Sequence, residues 1–244
     1  MARRKIRIGT AGWAISSRYS EQFVGPGSHL ERYARKMNCV EINSSFYKPH
    51  QHKTYERWAA TTPATFRFSV KLPQLLTHVQ RLIDPHAALD RFSGEVAGLG
   101  RKLGAVLVQL PPNLIFDPDV AGDFFLALSQ RIHVPVVCEP RHVSWFTPDV
   151  DEWFTHRRIA RVAADPPTAP GATYPGGWRR LTYIRLHGSP RMYYSAYEPP
   201  FISALARRLQ AQTGPVWCIF DNTAAGAALG DALATIGSTR PDLG

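Results

Sequence analysis

The chain has little cysteine and no long apolar run. Its 244 residues hold three cysteines, Cys39, Cys138 and Cys218, widely separated and without a CxxC or Cys/His spacing that would bind zinc. Each lies in a β-branched apolar run, which predicts buried, reduced thiols and no disulfide framework. No stretch approaches the ~20 apolar residues that cross a bilayer, so no membrane partner is expected. The basic start, Met1-Ala2-Arg3-Arg4-Lys5, runs straight into the strand-like Ile6-Arg7-Ile8-Gly9-Thr10 without the apolar stretch and cleavage site of a signal peptide. A cytoplasmic protein is expected. Nucleotide-binding loops are missing as well. The first turn reads Gly9-Thr10-Ala11-Gly12-Trp13 instead of GxGxxG, and no phosphate loop of the GxxxxGKS type occurs.

What is present describes an ordinary folded chain, 44% hydrophobic and 20% charged. The formal charge is +10, with residues 1–122 holding 17 basic and 9 acidic side chains and residues 123–244 holding 12 and 10. That excess attracts phosphates or nucleic acid. The plainer reading is an arginine-rich composition, because no dense basic block exists beyond Arg3-Arg4-Lys5.

Apolar runs at 6–10, 39–43, 66–71, 104–110, 134–139, 159–164, 181–187 and 215–221 read as strands. Several, such as Ala105-Val106-Leu107-Val108, are apolar on both faces, as parallel strands covered by helices are. Helical periods fill 29–37, 86–103, 118–132, 199–211 and 224–236, and Asp117-Pro118 is a helix start. Eight strands without a composition break predict an α/β fold, a single (β/α)8 TIM barrel over residues 1–244. Residues 166–180 carry four prolines and three glycines, so the helix after the sixth strand is expected to be missing or vestigial. Residues 188–200 form a long aromatic loop after the seventh strand.

Charged strand residues must face the interior or mouth of such a barrel, since the helix-facing side is dry. Successive strand ends then deliver Glu41 and Asn43, Lys71, Gln109, Glu139 and Arg141, Arg185 and His187, and Asp221 with Asn222 to one rim. Tyr47 and Trp145 fall in adjoining loops and would wall a pocket. Each residue alone has a structural reading: a carboxylate pairing an arginine, a satisfied core histidine, loop packing. The ring as a whole is costly to bury without purpose.

The motifs Gly9-Thr10-Ala11-Gly12-Trp13, Val40-Glu41-Ile42-Asn43-Ser44-Ser45-Phe46-Tyr47, Phe66-Arg67-Phe68-Ser69-Val70-Lys71, Val108-Gln109-Leu110-Pro111-Pro112, Glu139-Pro140-Arg141-His142-Val143-Ser144-Trp145, Arg185-Leu186-His187-Gly188 and Phe220-Asp221-Asn222-Thr223 resemble, in order, those of the YecE-like family, domain of unknown function 72. The resemblance runs from about residue 6 to residue 236 and implies a TIM barrel but no settled activity. Asp221 stands where that pattern often carries asparagine, which weakens its reading as an essential metal ligand.

Three functions fit the residues. The first is an enzyme for a small anionic or sugar-like substrate. Glu41 and Glu139 would be its acid and base and His187 a second proton carrier, with Arg141, Arg185 and Lys71 holding the anion and Asn43, Gln109 and Asn222 orienting hydroxyls. The second is a divalent-metal hydrolase, open to nucleic acid, using Glu41, Glu139, His187 and Asp221. The third is a non-catalytic module that binds a ligand or a protein. No cofactor is expected, a divalent metal belongs to the second reading only, and oligomeric state is not legible.

Overall fold

The computed structural model describes residues 6–239. The Arg3-Arg4-Lys5 run lies outside them. Strands and helices alternate as β1 (Ile6–Thr10), α1 (His29–Ala34), β2 (Cys39–Ile42), α2 (His52–Ala60), β3 (Arg67–Lys71), α3 (His86–Val96), β4 (Leu103–Gln109), α4 (Pro118–Ser129), β5 (Val136–Glu139), α5 (Pro148–His156), β6 (Ile159–Arg161), β7 (Ala163–Asp165), β8 (Gly176–Gly177), β9 (Thr182–Leu186), α6 (Pro199–Ala211), β10 (Val216–Phe220) and α7 (Ala227–Thr239). The fold is mixed α/β with two sheets, ordered β1-β10-β9-β7 and β2-β3-β4-β5-β6-β8. All pairings are parallel except that of the two-residue β8 with β6.

Two narrow junctions join the sheets. Ala11, just past β1, bridges Glu41 of β2, and Gly12 N–H donates to the Glu41 carbonyl at 2.8 Å. Gly9 permits this approach, because a Cβ there would collide with the Cys39 carbonyl. At the other junction β6 and β7 are separated by Val162 alone. The first pairs with β5 and the second with β9.

Helix starts follow local chemistry. The Asp117 carboxylate accepts from Asp119 N and Val120 N at 3.0 and 3.1 Å ahead of Pro118, and Thr147 accepts from Val150 N ahead of Pro148. Helices α2 and α5 are absent from the periodicity reading because each buries only one or two side chains. The long helix expected over 86–103 ends at Val96 and continues as a 3-10 turn whose Gly100 takes φ +50°, a left-handed conformation that breaks the α pattern. Between β7 and β9 stand turns and β8 with no helix, as the prolines and glycines there foretell.

Apolar side chains form two cores. The larger lies between strands and helices. The smaller draws on both sheets and includes Cys39, Leu107, Val137, Val162, Tyr183, Trp217 and Ile219. All three cysteines are buried free thiols, and burial pushes each thiol pKa up.

Trp145 belongs to the larger core. It is 1% exposed, donates Nε1–H to the Leu114 carbonyl at 2.8 Å, and packs on Phe154 and Phe116. What remains accessible of it lines a small cavity of about 180 Å³ with Leu82, Leu114 and Val120, apart from the polar side chains at the strand ends. Trp145→Ala should therefore act on stability, costing ~3–5 kcal/mol in urea unfolding, with ligand-induced stabilisation retained by the fraction that folds.

Candidate functional site

The two-residue period of the strands brings polar side chains from both sheets to the strands' C-terminal ends. Arg185 on β9 is the centre and is fully buried. Its Nε and Nη2 donate to the two oxygens of Glu41 at 3.1 and 2.7 Å, Nη1 donates to Glu139 Oε2 at 2.6 Å, and Nη2 also reaches Asp221 Oδ2 at 2.8 Å. One guanidinium thus serves three carboxylates, with bidentate geometry toward Glu41. Tyr183, two residues before Arg185, donates to Glu41 Oε2 at 2.8 Å, and Ser69 on β3 lies 2.7 Å from the same phenol oxygen. Glu139 Oε1 accepts from Nε and Nη2 of Arg141 at 3.0 and 2.9 Å.

His187 is buried beside this cluster. Its Nδ1 lies 3.1 Å from Asp221 Oδ2, while Nε2 is 3.3 Å from Glu139 Oε1 but out of line for a hydrogen bond. The ring of Tyr193 stands edge-on to it at 5.6 Å, and the Tyr193 hydroxyl is 3.5 Å from Arg141 Nη2.

These contacts set the protonation states. Burial alone would raise the Glu139 carboxyl, but Arg185, His187 and Arg141 hold it well below the usual carboxylate range. Asp221 is likewise lowered, with Arg185 and His187 outweighing burial. Burial would lower His187, and the Glu139 charge and the Asp221 hydrogen bond raise it instead. Every oxygen of Glu41 and Glu139 is already accepting a hydrogen bond. The two carboxylates that the sequence presents as a candidate acid and base are thus both engaged in a buried network with Arg185.

Lys71, at the end of β3, is different. It is 5% exposed, and its Nζ sits 3.9 Å from the centre of the Phe46 ring. Among the described residues no carboxylate lies within 4 Å of that nitrogen. Burial and the Arg185 charge lower its pKa to about 8, against weaker support from Glu41, Glu139 and Asp221. His78 packs edge-on against the same Phe46 ring, centroids 5.0 Å apart, and its pKa is lowered by burial, Lys71 and Arg141. It is carried by a π-helical turn, Leu75–Val79, a local distortion common at functional sites.

The structure therefore brings together Glu41, Lys71, Glu139, Arg141, Arg185, His187 and Asp221. Gln109 pairs in register with Glu139 and has no hydrogen-bond partner for its amide among the described residues. Asn43 keeps a sealed Oδ1 without a partner. Tyr47 is 70% exposed at the rim, edge-on to Phe46. Asn222 does not join the cluster as a free group: its amide donates to the Ser195 carbonyl and to Asp231 Oδ2 at 2.8 and 2.7 Å, tying the strand end to α7. The sequence reading passed over Tyr183, which shares the face of Arg185 and His187 by the period of two. It also passed over His78, for which no sequence signal exists.

Of the possible donors Glu41, Glu139, His187 and Asp221, the three carboxylates accept from the Arg185 guanidinium and His187 lies against Asp221 and Glu139, so a cation already stands at their centre. No group of three or more metal-binding side chains occurs among the described residues. No helix among them is long and apolar enough to cross a membrane.

Comparison with known proteins agrees with this architecture. UPF0759 protein YunF of Bacillus subtilis (strain 168) is 29% identical over 149 residues, 59% of this chain and 53% of that protein. UPF0759 protein YecE of Escherichia coli (strain K12) is 33% identical over 82 residues, 34% of this chain and 30% of that one. The chain thus spans about half of the first relative's length and under a third of the second's. A solved structure of a DUF72 family protein from Thermotoga maritima MSB8 superposes with a TM-score of 0.79 at 21% identity, covering 96% of this chain and 98% of that one, which speaks for the fold. The sequence profile described as protein of unknown function DUF72 matches residues 7–241, so the chain belongs to the DUF72 family.

Proposed function

We propose that the two sheets form one (β/α)8 barrel and that its C-terminal mouth is the active site of an acid–base enzyme for a small anionic substrate. The barrel is supported by the two junctions, at Ala11–Glu41 and across Val162, and by a core shared between the sheets. The observation that carries the function is that Arg185 engages all three carboxylates, Arg141 adds a second cation on Glu139, and Lys71 has no carboxylate partner, so the cluster has a positive excess suited to an anionic ligand. With Lys71 and His187 both protonated, four positive groups face three negative ones.

Arg141 and the free Gln109 amide are the groups suited to hold a carboxylate or phosphate. Lys71, lowered to about 8, is suited to take up a proton, and His187, raised by its carboxylate neighbours, to give one. The division follows the rule that neighbouring groups pushed to opposite pKa values take opposite roles. A glycosidase-like pair of carboxyls finds less support, because Glu139 is held ionised.

A thermal-shift panel of phosphate, small carboxylates, phosphosugars, neutral sugars and divalent metals tests the reading. An anion at ~100 times its Kd adds about 2.7 kcal/mol, and Arg141→Gln should abolish that gain while the variant stays folded. Stabilisation by neutral sugars alone, or a gain that survives Arg141→Gln, would sink it.

The electrostatics make two further predictions. Because the folded pKa of Lys71 is depressed, its charge costs stability in full below pH 8, and the cost fades as pH climbs toward 10.5. Lys71→Met should therefore exceed the native protein in stability at pH 7 by roughly 1–3 kcal/mol, with the gap closing between pH 8 and 10.5 in denaturant titrations. Arg185→Met strands three buried carboxylates. Its unfolding free energy should drop by ~3–5 kcal/mol or more, and part of the loss should return as pH falls and Glu139 and Asp221 become protonated.

A further inference from the structure

Among the described residues Lys71 is the one buried lysine. Lys36, Lys48 and Lys53 are exposed, and Lys102 is committed to the carbonyls of Ala59 and Thr62. Lys71 has no such commitment. Its nitrogen rests on the Phe46 ring, has no carboxylate within 4 Å, and is not among the sealed polar atoms, so it remains reachable. A lysine needed only for charge is normally paired. One buried on an aromatic face beside another cation has the surroundings that favour a neutral, nucleophilic amine. Its pKa of about 8 agrees. Arg141, just past β5, and Lys71, at the end of β3, belong to the same polar cluster around Arg185 and Glu139, and the charges of both lower His78.

We propose that Lys71 is a nucleophile that captures the carbonyl carbon of a small oxo acid as a Schiff base, the acid group resting on Arg141. The lone pair of Nζ forms the new bond to carbon while the carbonyl pair moves to oxygen. The two protons of the neutral amine then leave with that oxygen as water, giving the C=N bond without any change in oxidation state. The proposal rests on the anion-binding reading of the mouth and narrows its substrate class to anions that carry a ketone or aldehyde. It turns Lys71 from a proton carrier into the group that bonds to substrate.

Trapping tests it on the full chain. The protein is incubated with cyanoborohydride and, separately, pyruvate, 2-oxoglutarate and dihydroxyacetone phosphate, then read by intact mass and peptide mapping. The expected result is one adduct per chain on Lys71 with at least one of these compounds, formed at least ~10-fold faster than at the exposed lysines and lost in Lys71→Arg. Mapping in the native chain localises the adduct whether or not the variant folds. Adducts spread evenly over Lys36, Lys48 and Lys53, or no adduct with any of the three, overturn the proposal. Thermal shifts with lactate and phosphate separate the two levels. Stabilisation that depends on Arg141 without trapping removes the Schiff base and leaves the anion site. Neither stabilisation nor trapping removes both.

Discussion

The constraint on which the site depends is the burial of Arg185. A guanidinium cannot be left dry without anions, and an isolated charge in a protein interior costs several kcal/mol even after relaxation. Glu41, Glu139 and Asp221 meet that demand from the ends of β2 and β5 and just past β10, with Tyr183 and Ser69 completing the hydrogen bonds around Glu41. The arrangement fixes register. Moving any of these strands by one residue would turn its carboxylate toward the helices, where nothing can receive it.

The same guanidinium divides its neighbours. It keeps Glu139 and Asp221 ionised, and those two anions in turn hold the His187 proton. Toward Lys71 it acts in the opposite sense, adding like-charge repulsion to the cost of burial. Beside one buried cation, therefore, the pKa of a histidine is raised and that of a lysine is lowered. Neither property belongs to the residue type alone.

Much of this was legible in the sequence. Strands apolar on both faces announce a parallel α/β fold, and the period of two puts Glu41, Glu139, Arg185, His187 and Asp221 at one end of the strands. The pattern says which face a side chain occupies but not which partner it finds there. That is why Glu41 and Glu139 read as a candidate acid and base with no sign of how Arg185 binds both, and why Asn222 reads as a ligand group with no sign of the Asp231 carboxylate that takes its amide. Trp145 follows a strand end, and a 3-10 turn packs it among Phe116 and Phe154, which the pattern does not announce. His78 owes its place to a π-helical turn, a distortion for which neither composition nor periodicity has a signature.

The two sheets touch through thin backbone seams, a single bridge at Ala11 and the split strand around Val162. Arg185 and Asp221 belong to one sheet's strand ends, Glu41 and Glu139 to the other's. The ion cluster is therefore also a clasp. Side-chain charge adds to those seams in holding the two sheets in register, so the polar cluster and the mechanical integrity of the fold are drawn from the same few hydrogen bonds.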